Sequence, residues 1–216
     1  MDFVGAYEWP NIRFILQGLL VTLEVALYSI VLSFVLGCIL ATIRYSKMPG
    51  LSHAVGLWVE TIRNLPLLLI IFFTHFALPE VGFKMNVFVS AVVALTVFES
   101  AMIAEIVRGG LLSIDKGQTE AGRASGLTYL QTLWHIVLPQ ALRKMVPPTV
   151  SQFIALLKDT SLAVIIALPE VVHNMNIVKS QNVNYTMPAF LLVAVLYFLV
   201  NFSLSRLAKR LELKTH

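Results

Sequence analysis

Charged side chains inside long apolar runs are the residues of this chain best suited to chemistry. Lys158 and Asp159 stand at the midpoint of the apolar stretch 149–168, and Glu99 lies inside another, 87–107. A charge at the centre of a bilayer costs at least about 2.5–3.5 kcal/mol, so its presence there indicates a function. Because neighbouring residues do not face each other on a helix, Lys158 and Asp159 must each find a partner elsewhere.

These charges suit a zwitterion. A free amino acid presents a carboxylate that attracts a cation and an ammonium group that attracts an anion, and both attractions are strongest where water is excluded. We therefore predict an amino-acid site near the middle of the membrane that comprises Lys158, Asp159, Thr160, Ser161 and Glu99. The sequence leaves open the alternative that Lys158 and Asp159 instead bridge helices or a subunit interface.

Two further charged pairs have the i, i+3 spacing of neighbours on one helix. They are Glu60 with Arg63 and Glu105 with Arg108, both near the predicted inner ends of their helices. Residues at this spacing can form an ion pair without help from another element. We expect both pairs to be local and structural.

No pattern in the sequence favours catalysis or metal binding. The five histidines are scattered, with no two at the i, i+4 spacing of a helical metal site. No Ser–His–Asp or paired-carboxylate arrangement follows from the spacing, and nothing resembles the Gly-x-x-x-x-Gly-Lys-Ser/Thr loop that cradles nucleotide phosphates. We predict that the chain is not an enzyme and binds no metal or cofactor itself.

Composition places most of the chain in lipid. Of its 216 residues 57% are hydrophobic and 13% are charged, whereas an average soluble domain has roughly 25% charged residues. A soluble globule of this size could not hide so much apolar surface, which argues against a soluble enzyme, a disordered protein or a secreted scaffold. The net charge of +4 does not imply nucleic acid, because membrane proteins concentrate Lys and Arg on one side of the bilayer.

Five continuous apolar runs are long enough to cross a bilayer, since a spanning helix needs about 20 residues. Pro147 and Pro188 are predicted to start the fourth and fifth helices, and Pro66 is predicted to kink the second. We therefore predict an all-α integral membrane protein in which residues 1–216 form a single transmembrane domain. Its spans are predicted at about 14–43, 55–78, 87–107, 149–168 and 188–205.

The distribution of basic residues predicts the orientation. With five spans the termini lie on opposite sides of the membrane. If the N-terminus is outside, the inner segments hold eleven Lys and Arg residues and the outer segments hold three. The positive-inside rule therefore predicts an outer N-terminus, a cytoplasmic C-terminus and a cytoplasmic loop over residues 108–148.

This long loop has internal order. Thr128 and Gln131 have the spacing of a capping box at a helix start. Gly126 lies just before them, where a preceding helix over about 118–125 could end with a left-handed residue, and Pro139 is predicted to end or bend the second helix. That helix carries one apolar stripe at i, i+3, i+4 and i+7. The stripe comprises Leu130, Leu133, Trp134 and Val137.

The loop resembles the EAA loop of ABC-importer permeases, in which Glu-Ala-Ala, three residues, Gly and nine residues precede Ile-x-Leu-Pro. The one departure here is a glycine in place of the second alanine. The stretches 60–68, 105–110, 138–143 and 157–162 are similar to the branch that imports polar amino acids, and the likeness covers about residues 14–210. The matching loop residues are Glu120, Ala121, Gly122, Gly126, Ile136, Leu138 and Pro139.

The resemblance implies a type I importer permease in the cytoplasmic membrane of a bacterium. It implies a second permease subunit, identical or homologous, two ATPase subunits that hold ATP and Mg²⁺, and an extracytoplasmic binding protein. The EAA loop is expected to dock on the ATPase. The substrate is expected to be a polar amino acid such as glutamine or glutamate.

Two rival functions remain. A self-sufficient channel or ion-driven secondary transporter would explain the intramembrane charges equally well, but it would not explain the EAA spacing, and five helices cannot be halved into an inverted repeat. A membrane enzyme lacks a recognisable site. The sequence leaves open which amino acid is carried and whether the two permease subunits are identical.

Overall fold

The computed structural model describes residues 1–46 and 48–215, with the backbone alone over 211–215. Lys47, counted above among the inner basic residues, and His216 lie outside the described residues. The described part of the chain is all-helical and contains no strand. Its helices are α1 (Phe3–Ala6), α2 (Trp9–Tyr45), α3 (Leu51–Asn64), α4 (Leu67–Phe72), α5 (Val87–Leu112), α6 (Lys116–Ala124), α7 (Tyr129–Thr132), α8 (Leu138–Asp159), α9 (Val171–Gln181) and α10 (Thr186–Thr215).

Four continuous helices are long and apolar enough to cross a membrane, and a bent pair supplies a fifth candidate. The predicted all-α membrane fold is therefore confirmed, with the second span present as two pieces. At about 1.5 Å per residue, the 37 residues of α2 extend over about 55 Å, well beyond the hydrocarbon core. The continuous candidates are Trp9–Tyr45, Val87–Leu112, Tyr129–Ile166 and Val183–Arg210.

The buried face of α2 is a stripe of small residues that packs against α5 and α9. At Gly37 an added Cβ would lie 2.7 Å from the Ile103 Cβ of α5, so the close approach of the two helices requires glycine. Helices in membranes associate through such close packing of small side chains. The stripe comprises Gly18, Thr22, Ser29, Ser33, Gly37 and Ala41.

The second span is broken at Pro66. α3 ends at Asn64, Leu65 adopts an extended backbone and α4 starts directly after Pro66. Proline disfavours the helical conformation of the residue before it and lacks the N–H that would continue the helix. The two pieces, Leu51–Asn64 and Leu67–Val81, meet at 105°. The sequence predicted a kink within one helix; the structure shows two helices instead.

The fourth apolar helix begins well before the predicted position 149. α7 passes through a π-helical turn, Leu133–Val137, directly into α8, which is followed by a 3-10 segment, Thr160–Ile166. Pro139 therefore lies in the first turn of α8, and the loop helix does not end there. As a result one helical path, Tyr129–Ile166, joins the loop to the middle of the membrane.

Pro147 and Pro148 lie inside α8 and not at the start of a helix, as the sequence had predicted for Pro147. Each proline leaves one carbonyl of the preceding turn without its N–H partner. Those carbonyls belong to Arg143 and Lys144, both exposed residues, and helices of membrane proteins tolerate such interruptions. In α10, Pro188 lies in the first turn as predicted, although the helix itself begins at Thr186.

Candidate substrate and coupling sites

Glu99 is the most deeply buried carboxylate of the spanning helices. It lies on α5 with none of its surface exposed. The Gln152 Nε2 of α8 donates a hydrogen bond to Glu99 Oε2 across 3.1 Å, whereas Glu99 Oε1 accepts no bond within the described part of the chain. Because a buried oxygen without a partner is unfavourable, this carboxylate is suited to receive a cationic donor.

Lys158 and Asp159 point to different sides of α8. Asp159 is half-buried, and its carboxylate lies within Coulombic range of Glu99. Lys158 is exposed and lines a groove of about 620 Å³ between α8 and α10. It forms no ion pair with any residue in 1–46 or 48–210. The structure therefore brings Asp159 within electrostatic range of both Glu99 and Lys158, while Lys158 faces the groove without a direct ion pair.

Thr160 and Ser161, the other predicted site residues, both donate to the backbone of α8. Thr160 Oγ1 donates to the Leu157 carbonyl and Ser161 Oγ to the Lys158 carbonyl, each across 2.7 Å. Thr160 is fully buried, while Ser161 lines the same groove as Lys158. A ligand in the groove could therefore reach the hydroxyl of Ser161 but not that of Thr160.

Three residues beside these charges were missed by the sequence analysis. Gln152 stands two helical turns before Asp159, a spacing of seven that places both on one side of α8, and this spacing could have identified it. Tyr197 and Asn201 of α10 line the groove with Lys158. The Tyr197 hydroxyl and the Asn201 Oδ1 are buried and have no hydrogen-bond partner in the described chain.

Glu105 is the centre of a charge cluster toward the C-terminal ends of three helices. Its carboxylate pairs with Arg108 of α5, as predicted, and also with Arg44 of α2 at 2.8 Å and Arg63 of α3 at 3.8 Å. The prediction of a local pair between Glu60 and Arg63 is wrong, because Glu60 instead lies 3.7 Å from Arg44. The cluster ties α2, α3 and α5 together.

The turn of the EAA-like loop is formed as predicted. Gly126 has a φ of +85°, in the left-handed region, and follows α6. Thr128 and Gln131 form a complete capping box, in which each side chain bonds the backbone N–H of the other residue. α6 is itself capped by Asp115, whose carboxylate accepts from the Gly117 N–H.

The glycine that departs from the EAA pattern lies at the contact between the two loop helices. Gly122 is buried, and a methyl group there would lie 2.8 Å from Thr132 Cγ2 and 2.9 Å from Ile136 Cδ1. α6 therefore packs against the following helix so closely that alanine would not fit without a shift. Among the other predicted coupling residues, Glu120, Ala121 and Pro139 are exposed, and Ile136 and Leu138 are half-buried.

The apolar stripe of the second loop helix is split between two surfaces. Val137 is buried and Leu133 half-buried against a cluster that includes Met145, whereas Leu130 and Trp134 are each 64% exposed. The π-turn that starts at Leu133 alters the angular spacing on which the prediction of one face relied. An exposed apolar surface of Tyr129, Leu130 and Trp134, here called the loop face, is left at the surface of the chain.

Glu170, between the fourth and fifth apolar helices, is a buried acid that the sequence analysis did not single out. Its carboxylate caps α9 by accepting from the backbone N–H groups of Val172 and His173. Burial raises the pKa of Glu170 to about 7, although both hydrogen bonds favour the charged form. No group of three metal-ligating side chains occurs among the residues that the structure describes.

The fold and the loop together define the chain as a permease of the type I ABC-importer architecture. Residues 33–216 match the family described as binding-protein-dependent transport system inner membrane component, and the chain belongs to that family. The resemblance stated from the loop residues is thereby confirmed. The chain is the membrane component of such a system and a multi-pass protein of the bacterial cytoplasmic membrane.

Named relatives match over nearly the whole chain. The probable glutamine ABC transporter permease protein GlnP of Bacillus subtilis is 61% identical over 216 residues, which cover 99% of both chains. The glutamine transport system permease protein GlnP of Escherichia coli is 33% identical over 214 residues, 98% of this chain and 97% of that one. A crystal structure of an amino acid ABC transporter with histidines matches with a TM-score of 0.92 and 26% identity, covering 99% of each chain.

Proposed function

We propose that this chain is the permease subunit of an ATP-driven importer of polar amino acids, with glutamine, glutamate or a close relative as substrate. The observation that carries the proposal is the 61% identity to the Bacillus subtilis relative, whose name specifies a glutamine permease, over 99% of this chain. The predicted functional assembly contains a second permease subunit, identical or homologous, and an extracytoplasmic binding protein. In this proposal the N-terminus of the permease chain lies outside the membrane and its C-terminus lies in the cytoplasm.

Two separate ATPase subunits bind ATP and Mg²⁺ in this proposal, and they dock on the EAA-like loop. The loop face supports this, because Leu130 and Trp134 are each 64% exposed on the segment that carries the pattern. Exposed aromatic side chains are the residues that most often dominate the energy of a protein interface. Glu120 and Ala121 are exposed on the neighbouring α6 and extend the docking surface.

The substrate site in this proposal is built around α8. Glu99 and Asp159, with Gln152, form an acidic side that suits the ammonium group of an amino acid. Lys158 directly precedes Asp159, about 100° away around the helix, and supplies a cation for the substrate carboxylate from the adjoining groove. Ser161 adds a hydroxyl to the same groove, and Thr160 supports the helix from its buried position.

α8 also provides the path that couples ATP hydrolysis to transport. The helical path Tyr129–Ile166 starts in the loop and includes Gln152, Lys158 and Asp159. From Trp134 to Gln152 it spans about 27 Å at 1.5 Å per residue. Closure of the ATPases would displace the loop face, and this displacement would move the substrate-binding side chains as part of an alternating-access cycle.

Reconstitution tests this function. Proteoliposomes that contain the permease, its ATPase and the binding protein should take up glutamine or glutamate only with ATP. Trp134→Ala should abolish substrate-stimulated ATPase activity while the protein still inserts. Leu142→Ala, a matched control that removes another exposed side chain, should not. Uptake driven by an ion gradient through the chain alone would contradict the proposal and favour a secondary transporter.

A further inference from the structure

A second polar cavity, separate from the charges in the middle of the membrane, lies where the loop meets the spanning helices. It has a volume of about 640 Å³, within the range of small-molecule sites. It is bounded by the C-terminal ends of α2 and α5 and by the two loop helices. None of the described residues that line it carries a carboxylate. Its main polar lining residues are Arg44, Tyr45, Arg108, Lys116, Thr119 and Tyr129.

The cations of this cavity are not fully neutralised. Glu105, on the far side of the guanidinium groups, holds Arg44 and Arg108 in place at the cavity wall. Arg108 uses Nε and Nη2 for that pair, and its Nη1 donates to no acceptor in the described chain. Lys116 forms neither an ion pair nor a side-chain hydrogen bond with residues in 1–46 or 48–210. The cavity therefore presents an excess of positive charge beside the hydroxyl groups of four residues, Tyr45, Ser46, Thr119 and Tyr129.

The position of the cavity favours an amphipathic ligand. Tyr45 is the last residue of α2 and Leu112 the last of α5, so the cavity lies where two spanning helices end. Leu111, Leu112 and Val137 line it beside the cations, and Leu112 is 57% exposed. Basic pockets between spanning helices at this depth are suited to the phosphate of a lipid headgroup.

We propose that this cavity is a binding site for a phosphate-bearing anion, supplied by an anionic phospholipid or by free phosphate. The phosphate contacts Arg108 and Lys116 and accepts bonds from the surrounding hydroxyls. Because Arg108 belongs to α5 and Lys116 to α6, the bound anion braces the EAA-like loop against the spanning helices. Binding does not depend on which side of the membrane is cytoplasmic or on which amino acid is transported.

The test measures binding to the full-length chain without its ATPase, so that nucleotide sites contribute no phosphate binding. Native mass spectrometry would follow dihexanoyl phosphatidylglycerol and, as the zwitterionic comparison, dihexanoyl phosphatidylcholine. Binding of inorganic phosphate would be measured as a rise in the Tm of thermal unfolding. We expect saturable binding of phosphatidylglycerol or of phosphate, weakened about fivefold by Lys116→Gln and retained by Lys116→Arg.

The control is Arg143→Gln, which removes an exposed charge from α8 that does not line the cavity. Selective loss with Lys116→Gln but not with Arg143→Gln supports the site. If phosphatidylglycerol binds, the natural ligand is a lipid headgroup. If inorganic phosphate binds and phosphatidylglycerol does not, the natural ligand is free phosphate. Equal weakening by the two variants, or binding of neither probe to the wild type, would overturn the proposal.

Discussion

Gln152 donates its side-chain amide to Glu99 across 3.1 Å and thereby links the centre of α8 to a carboxylate that is fully buried in α5. The bond satisfies one carboxylate oxygen and leaves the other without a partner in the described chain. A buried acid held in this way is oriented but not neutralised. Gln152 is therefore a positioning residue for Glu99 in the proposed substrate site.

Gln152→Leu should weaken transport because it removes the hydrogen bond that orients Glu99. Losing a hydrogen bond to a charged group costs about 1.5–3 kcal/mol, so we expect the KM for uptake to rise roughly tenfold to a hundredfold while basal ATPase activity persists. Ser151→Ala, an exposed neighbour on the same helix, is the control and should transport normally. A normal KM for Gln152→Leu would show that the orientation of Glu99 is not used in transport.

Lys158→Met and Asp159→Asn should separate substrate binding from a structural bridge. Each removes one charge that a zwitterion would contact, and each should lower the apparent affinity for the amino acid by about tenfold to a hundredfold, with partial recovery at high substrate. Uptake by proteoliposomes and assembly by size-exclusion chromatography are the measurements. Failure to assemble would instead indicate that these residues bridge helices or subunits.

The proposed orientation can be tested with single cysteines in a Cys38→Ala background. Val183, in the segment before α10, is 82% exposed, and Ala124, at the end of α6, is also exposed. An impermeant maleimide applied to intact cells should label Val183→Cys but not Ala124→Cys until the membrane is permeabilised. Labelling of Ala124→Cys alone in intact cells would reverse the topology and place the loop outside.

Local hydrogen bonding explains why the loop could be predicted. The capping box of Thr128 and Gln131 and the left-handed Gly126 depend on residues within a few positions of one another. The same reasoning failed for the charge cluster, because Arg44 and Glu105 are 61 residues apart and meet only when α2 packs on α5. Sequence spacing favoured the local partner of Glu60, and tertiary packing supplied another.

The membrane itself hides other features from sequence patterns. Lipid and protein interior are equally apolar, so the buried face of α2 is not more hydrophobic than its exposed face and is recognisable only by its small residues, such as Gly18 and Gly37. In soluble helices proline is favoured in the first turn, and this preference predicts Pro147 at a helix start. In the structure α8 continues through it, as helices of membrane proteins can.

Glu170 should make the stability of the protein depend on pH. Its pKa rises from 4.5 to about 7 in the folded chain because the group is buried. The folded state therefore holds a proton that the unfolded state has lost. This contribution to stability is fully present below pH 4.5 and is lost as the pH rises through about 7. Between these two pH values the free energy of unfolding falls by at most about 1.4 kcal/mol per pH unit.

The measurement is the Tm in lipid nanodiscs between pH 5 and 8, compared between wild type and Glu170→Gln. A difference of 1 kcal/mol in the free energy of unfolding shifts the Tm by about 2–4 °C for a chain of this size. We expect the Tm of the wild type to fall relative to the Tm of Glu170→Gln as the pH rises. Glu80→Gln, an exposed acid, should follow the wild type. Parallel curves for wild type and Glu170→Gln would show that the buried carboxyl does not titrate in this range.

Restoring the common alanine of the EAA pattern should impair this protein. Gly122→Ala raises intrinsic helix propensity by up to about 1 kcal/mol, but its methyl group would lie 2.8 Å from Thr132 and 2.9 Å from Ile136. Overpacking of this kind costs about 1–3 kcal/mol, so the contact outweighs the propensity. We expect faster hydrogen exchange over residues 116–137 and reduced substrate-stimulated ATPase activity.

Matched variants test the steric cause. Thr132→Ser and Ile136→Val together remove the two atoms nearest the added methyl group, and Gly122→Ala should be neutral or stabilising in that background. Gly109→Ala, at a helical glycine of α5 whose added Cβ meets nothing within 4 Å, should stabilise the wild type. If Gly122→Ala instead slows hydrogen exchange in the otherwise unchanged chain, α6 is not held at the distance that this contact requires.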